Sequence, residues 1–161
     1  MAYIYPAPGV SGVQATLKLS IASNGSDTGY TVPALQDVTV NAANDVFTWT
    51  QLDSGSKLQI ATTATNSLSM NLVLDQDAFF GKSSATAGTA EKEGIFGLST
   101  DKTLVEFELY LGDTSAAATG KTISGVGYVT GLAPTVSADA PVWVSPITIT
   151  VTGDYTISTT A

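Results

Sequence analysis

Glu106 and Glu108 stand two residues apart in VEFELYL, residues 105–111. On a strand that spacing puts both carboxylates on one side, about 7 Å apart, close to the separation of paired glycosidase carboxylates. Such a pair needs unequal environments and a sugar-shaped cleft, and one exposed strand supplies neither. Asp75-Gln76-Asp77 resembles the opening of an EF-hand calcium loop, but Phe80 replaces its required Gly and Thr86 its required Glu. That segment therefore reads as a turn at a strand end. SAAATGKT at 115–122 imitates a phosphate-binding Walker A loop, yet Ser115 replaces the first Gly and the pattern that follows is a strand. The phosphate cradle needs a helix N-terminus there. Trp49 and Trp143 could stack on sugars, but each lies in an alternating strand, where packing against a core or a neighbour is the simpler role.

The chain has no His, no Cys and no Arg. Common nucleophile–base pairs, imidazole and thiolate metal sites and disulfides go with them. No catalytic, cofactor or metal site is expected, and the protein reads as no enzyme. Its 161 residues carry only 12% charged side chains and a net charge of −8. That balance argues against nucleic-acid binding, which needs Lys and Arg on phosphates and bases. It also suits a surface that lets a polyanion pass without holding it. The start, MAYIYPAPGVSG, lacks a basic region and is broken by Pro6, Pro8 and Gly9, so it does not read as a signal peptide. No window approaches the roughly 18 apolar residues of a membrane helix. A soluble protein made in a cytoplasm is expected.

The elements that must position these side chains are mostly strands. Leu17, Leu19 and Ile21 alternate with Thr16, Lys18 and Ser20, which predicts a half-buried strand over 15–22. Further strands are expected near 34–41, 46–52, 68–75, 105–111, 121–131 and 141–152, with residues 154–161 as a short tail. Residues 53–66 read as a polar loop, and 1–12 as a Pro/Gly-rich N-terminal arm. One short helix is expected over 89–99, with Thr89 as N-cap, Glu91 and Glu93 in its first turn and Ile95, Phe96 and Leu98 on one side. Residues 1–161 thus read as a single, mostly β domain: an antiparallel β-sandwich or barrel with one flanking α-helix. Pro146 is the anomaly, because a proline cannot donate to a sheet ladder and central strands avoid it.

The C-terminal stretch ISGVGYVTGLAPTVSADAPVWVSPITITVTG resembles the closing hairpin of bacteriophage tail tube proteins. The matching positions are Gly127, Val129, Thr130, Pro134, Asp139, Val142, Trp143, Ile147, Ile149, Val151 and Gly153. FTWTQLDSGSK, NSLSMNLVLD and VEFELYLG are similar to that family's wall strand, loop and following strands. The likeness spans roughly residues 35 to 157 and lies in the order of motifs, since no single one is diagnostic. The family's helix is usually longer and richer in Ala and Leu, and an additional immunoglobulin-like domain found in some members is not expected here.

The resemblance implies a structural virion protein: hexameric rings stacked into a tail tube that conducts phage DNA, assembled in the host cytoplasm. Its implied partners are further copies of itself, a tail tip or baseplate initiator, a tape measure protein and a tail terminator, with no membrane. On that reading Glu106, Glu108, Thr148 and Thr150 are candidates for the lumen lining. Tyr3, Tyr5, Asp53, Ser54 and Lys57 are candidates for contacts between rings, with the arm and the loop ordered there. Pro146 is expected at a bulge or a subunit boundary, and Trp143, Ile147, Ile149 and Val151 are expected to pack inward. The alternatives are the tube protein of a contractile secretion system, and a surface β-sandwich that binds glycans or decorates a capsid.

Overall fold

Where apolar and polar residues alternate, the computed structural model has strands. It describes residues 15–33, 35–52, 55–62, 65–112, 120–140 and 142–159. The strands are β1 (Ala15–Ile21), β2 (Tyr30–Thr31), β3 (Leu35–Ala43), β4 (Val46–Thr50), β5 (Lys57–Ala61), β6 (Thr65–Val73), β7 (Leu104–Leu111), β8 (Lys121–Leu132) and β9 (Val144–Thr159). The helices are α1 (Gln76–Phe80) and α2 (Ala90–Thr100). Seven strands form one antiparallel sheet in the order β2-β1-β7-β8-β9-β6-β3, while β4 and β5, among the described residues, pair only with each other. Of the two architectures expected, the barrel-like one is present: a single sheet curled into a half-barrel.

Period-two alternation sends every second side chain to the same face. Leu17 and Leu19, Val105, Phe107 and Leu109, Leu68, Met70 and Leu72, and Ile147, Ile149 and Val151 are all buried in one core. The helices cover that core: Phe79 of α1 and Ala90, Ile95 and Leu98 of α2 are buried in it. Asp27 ties the sheet to the cover. One carboxylate oxygen accepts from the backbone N–H of Ile21 and of Ala90, both at 2.8 Å, and the other accepts from Gly29 at 2.9 Å. A carboxylate at the first turn of α2 also complements the helix dipole.

Several expectations need correction. Among the described residues there are two helices, because the Asp75 carboxylate accepts from the backbone N–H of Asp77 and Ala78 and so caps α1 where a turn was expected. Thr89 makes no side-chain cap bond. Its hydroxyl instead donates to the Thr86 carbonyl at 2.7 Å. Gly94, at φ 67° and ψ 168°, breaks α2, so Ile95 is buried while Phe96 is 46% exposed. Residues 53–66 are not simply a loop: 57–61 form β5, and β6 already begins at Thr65. The strand expected at 46–52 is β4, which lies in that hairpin and not in the main sheet. The tail is also a strand. β9 bends at Gly153 (φ 87°) and continues to Thr159, pairing with the start of β8. The Tyr155 hydroxyl holds this extension by lying 2.8 Å from the carbonyl oxygens of both Asn41 and Ser67.

Gly127 sits in the centre of the sheet, buried beneath β9. A Cβ there would lie 2.4 Å from the Thr150 carbonyl oxygen, which is backbone and cannot swing away. Gly127→Ala should therefore lower stability by about 1–3 kcal/mol, the usual cost of overpacking. Gly25→Ala, with nothing within 4 Å of its Cβ, should stay within about 0.5 kcal/mol of the parent. Equal denaturant midpoints for the two variants would refute this account of the packing.

Tyr30 supplies a pH dependence. Its hydroxyl donates to the Ala78 carbonyl at 3.2 Å and joins β2 to α1. Burial, followed by the nearby carboxylates of Glu91 and Asp27, pushes the phenol well above its ordinary range. The folded chain then retains a proton that the unfolded chain loses, so this stabilisation is complete below about pH 10 and is lost as pH rises further. Urea titrations should show stability falling above that pH in the parent, with a shallower fall in Tyr30→Phe.

Candidate functional site

The sheet has a second face, and it is polar on every strand. Glu106 and Glu108 project from β7 and are exposed. Glu106 lies opposite Ser20 of β1 and Val126 of β8; Glu108 lies opposite Lys18 and Ser124. Thr148 and Thr150 project from β9 on this same face, opposite Ser69 and Ser67 of β6. β8 separates β7 from β9, so the two pairs stand about 10 Å apart in the pairing direction. The fold thus gathers the four candidates onto one surface but not into one cluster.

That surface is built as a hydroxyl and amide lattice. The Thr130 and Thr150 hydroxyls hydrogen-bond at 2.8 Å across β8 and β9. Asn71 of β6 donates its amide to both carboxylate oxygens of Asp37 on β3, at 3.0 and 2.9 Å. Asn41 donates to the Ser67 hydroxyl at 3.3 Å. Lys18, Ser67, Ser69, Asn71 and Tyr128 therefore belong to the face as well, although they were not among the sequence candidates. The signal for three of them was present: TNSLSMNLV alternates Ser and Asn with Leu and Met over 65–73.

Pro146 is not at a bulge. It pairs with Asn71 in an unbroken ladder between β6 and β9, and the register shifts lie elsewhere, between Ser124 and Val126 and between Val129 and Gly131. Leu74 donates to the Trp143 carbonyl, and Thr135 donates to that of Val144. Antiparallel alternation then turns the nitrogen of Pro146 toward β8, whose ladder with β9 ends at Leu132 opposite Ile147. A central strand tolerates proline here because no donor is required on that side. Trp143, expected to pack inward, is 50% exposed just before β9 begins, and the buried residue next on that face is Ser145.

Tyr3, Tyr5, Asp53 and Ser54 lie outside the described residues. Lys57 is exposed and opens β5, opposite Thr50 of β4. A cleft of about 290 Å³ between β2 and the helices is lined by Tyr30, Asp75, Asp77, Lys82 and Glu91 among others. Three of its four charged side chains are engaged: Lys82 pairs with Glu91 at 2.9 Å, and Asp75 caps α1. Among the described residues no group of three or more acidic side chains could hold a metal ion.

No protein-family model matches the chain, and no curated protein matches it in sequence. Solved structures do match its fold. The tail of an empty gene transfer agent (GTA) particle, refined with C6 helical symmetry, aligns with a TM-score of 0.60 and 15% identity over 88% of this chain and 95% of that one. The SPP1 tail tube aligns with a TM-score of 0.63 and 9% identity, over 91% and 77%. The sheath–tube complex of an extracellular contractile injection system aligns with a TM-score of 0.59 and 11% identity, over 96% and 93%. This chain has the tail-tube fold.

Proposed function

We propose that this chain is the major tail tube subunit of a tailed phage or a phage-like particle, a structural protein that stacks as hexameric rings around a DNA channel. The observation that carries the proposal is the continuous polar face, which crosses strands whose other face is core. Such a sheet can serve as wall and fold at once. Its edges support the same reading. Among the described residues β2 pairs with β1 only at Lys18 and Leu19, and no strand pairs with the outer edge of β3. Exposed edges invite pairing with another chain, and in a ring each edge meets a neighbour.

The polar face lines the channel in this reading. Glu106 and Glu108 repel phosphate, while Thr148 and Thr150 offer hydroxyls without cations, so DNA slides past unheld. The net charge of −8 per chain opposes stacking only within roughly 8–10 Å at physiological salt. Apolar burial and strand pairing offset it. The initiator, tape measure and terminator of the tail are the partners that follow, and the virion tail is the location. A tube of a contractile injection system is the second reading, supported by the similar fold of that tube. Sheath recruitment to assembled tubes would favour it.

Concentrating the purified protein, or adding a tail-tip initiator, should give tubes of uniform width in negative-stain micrographs. Only monomers in sedimentation at high concentration, together with absence from virions, would sink the proposal. The lumen assignment has a separate test. Replacing Glu106 and Glu108 together with Lys should leave the fold and the tubes intact, since both side chains are exposed and off the core. DNA delivery should then slow or stall as phosphates meet cations. Normal delivery by that double variant would move the polar face out of the channel.

A further inference from the structure

Asn24-Gly25 is the one Asn–Gly step in the sequence, and it sits in the turn that follows β1. The turn closes through the backbone N–H of Asp27, which donates to the Asn24 carbonyl at 2.9 Å. Gly25 is exposed, and a Cβ built on it would meet nothing within 4 Å. Among the described residues no hydrogen bond engages its backbone N–H. An unhindered amide nitrogen thus follows a residue with a side-chain amide, the arrangement from which a succinimide ring closes.

The Asn24 amide itself is held at both ends. Its Oδ1 accepts from the backbone N–H of Ser26 at 3.1 Å, and its Nδ2 donates to the Gly88 carbonyl at 2.8 Å. Gly88 lies just before α2, and Asp27 grips the same segment by accepting from Ala90. The Asn24–Gly88 bond joins residues 64 apart in the chain, so it forms only while the helical cover is docked. Exposed turns of this kind open locally far more often than the whole fold does.

We infer that Asn24 is a site of slow self-modification by deamidation, guarded by its bond to Gly88. When that bond opens, the Gly25 nitrogen attacks Cγ of Asn24. A C–N bond forms as the nitrogen gives up its proton to water, the bond from Cγ to Nδ2 breaks, and ammonia leaves after taking up a proton. Water then opens the ring at either carbonyl. Cleaving the new bond leaves aspartate, and cleaving the original peptide bond leaves isoaspartate. One water is consumed for each ammonia released, and no oxidant or reductant is needed. Either product adds one negative charge to a chain that carries −8, and neither keeps the amide hydrogen that Gly88 accepts. The tie cannot re-form, so the change runs one way. It stands on the fold and is independent of the tube reading.

Folded parent, Gly25→Ala and Gly88→Ala are incubated, and the peptide spanning residue 24 is followed by mass spectrometry together with ammonia release. The parent should convert. Gly25→Ala, a change that the open surroundings tolerate, should lose most of the conversion, because a methyl group hinders the attacking nitrogen. Gly88→Ala places a side chain at φ 77°, where glycine is favoured, and so loosens the guard. Its conversion should rise about threefold to tenfold, the scale of one hydrogen bond. Urea below the unfolding transition should raise conversion in the parent as well, which serves if Gly88→Ala does not fold. Asn24→Asp keeps the acceptor for Ser26 but lacks the donor for Gly88, so it should unfold at lower urea than the parent. A folded parent that keeps its amide while the urea-unfolded chain converts would overturn the inference, as would equal rates in the parent and Gly25→Ala. Conversion indifferent to both Gly88→Ala and mild urea would overturn the guard. An Asn24→Asp midpoint equal to the parent's would overturn the loss of the tie.

Discussion

The separation of side chains into two faces by strand alternation is the constraint on which this structure depends. A slip of one residue in any strand would carry its whole apolar set to the polar side, so every irregularity must preserve the faces. Two do so by different means. Between Ser124 and Val126, β9 carries two more residues than β8, an even number that returns Tyr155 to the core side, where its ring meets Phe107 edge-on at 6.2 Å. Between Val129 and Gly131, β8 carries one extra residue. The second residue of that bulge is a glycine, lying against Thr148, and Leu132 then resumes packing against the core.

The same constraint explains a composition that is unusual for a soluble protein. With only 12% charged residues, the non-core face cannot be an ordinary solvated surface of Lys and Glu. It is filled with Thr, Ser and Asn, which favour or tolerate strands and bond to one another across the ladders, as Thr130 does with Thr150 and Asn71 with Asp37. A flat, hydroxylated sheet with open edges is a liability in a monomer. In the proposed tube it would be the wall, and its edges would be the joints. Fold and proposed role thus place the same demand on the residues.

Helices do the remaining work with little sequence. α1 is only five residues long and α2 is broken at Gly94, yet together they cap one side of a seven-stranded sheet. Their hold comes from specific polar ties. Asp27 bonds the turn after β1 to the first residue of α2, and Tyr30 bonds β2 to α1.

The sequence by itself determined the long strands of the main sheet and most of their core residues, because period two is written into each of those stretches independently of its neighbours. Val105, Phe107 and Leu109, or Ile147, Ile149 and Val151, could be assigned inward with no knowledge of partners. It also carried the likeness to tail tube proteins through the order of such stretches. Tertiary structure alone decided the rest, for one physical reason: pairing is a property of two strands, and neither strand contains it. VFTWT alternates as well as any wall strand, but its partner is β5, so it leaves the sheet. DYTISTTA resembles a tail until β8 extends alongside it. DQDAFF resembles a turn until Asp75 caps it into a helix that the core can bury. Glu106 and Thr150 share a surface only because β8 lies between β7 and β9 and keeps their register.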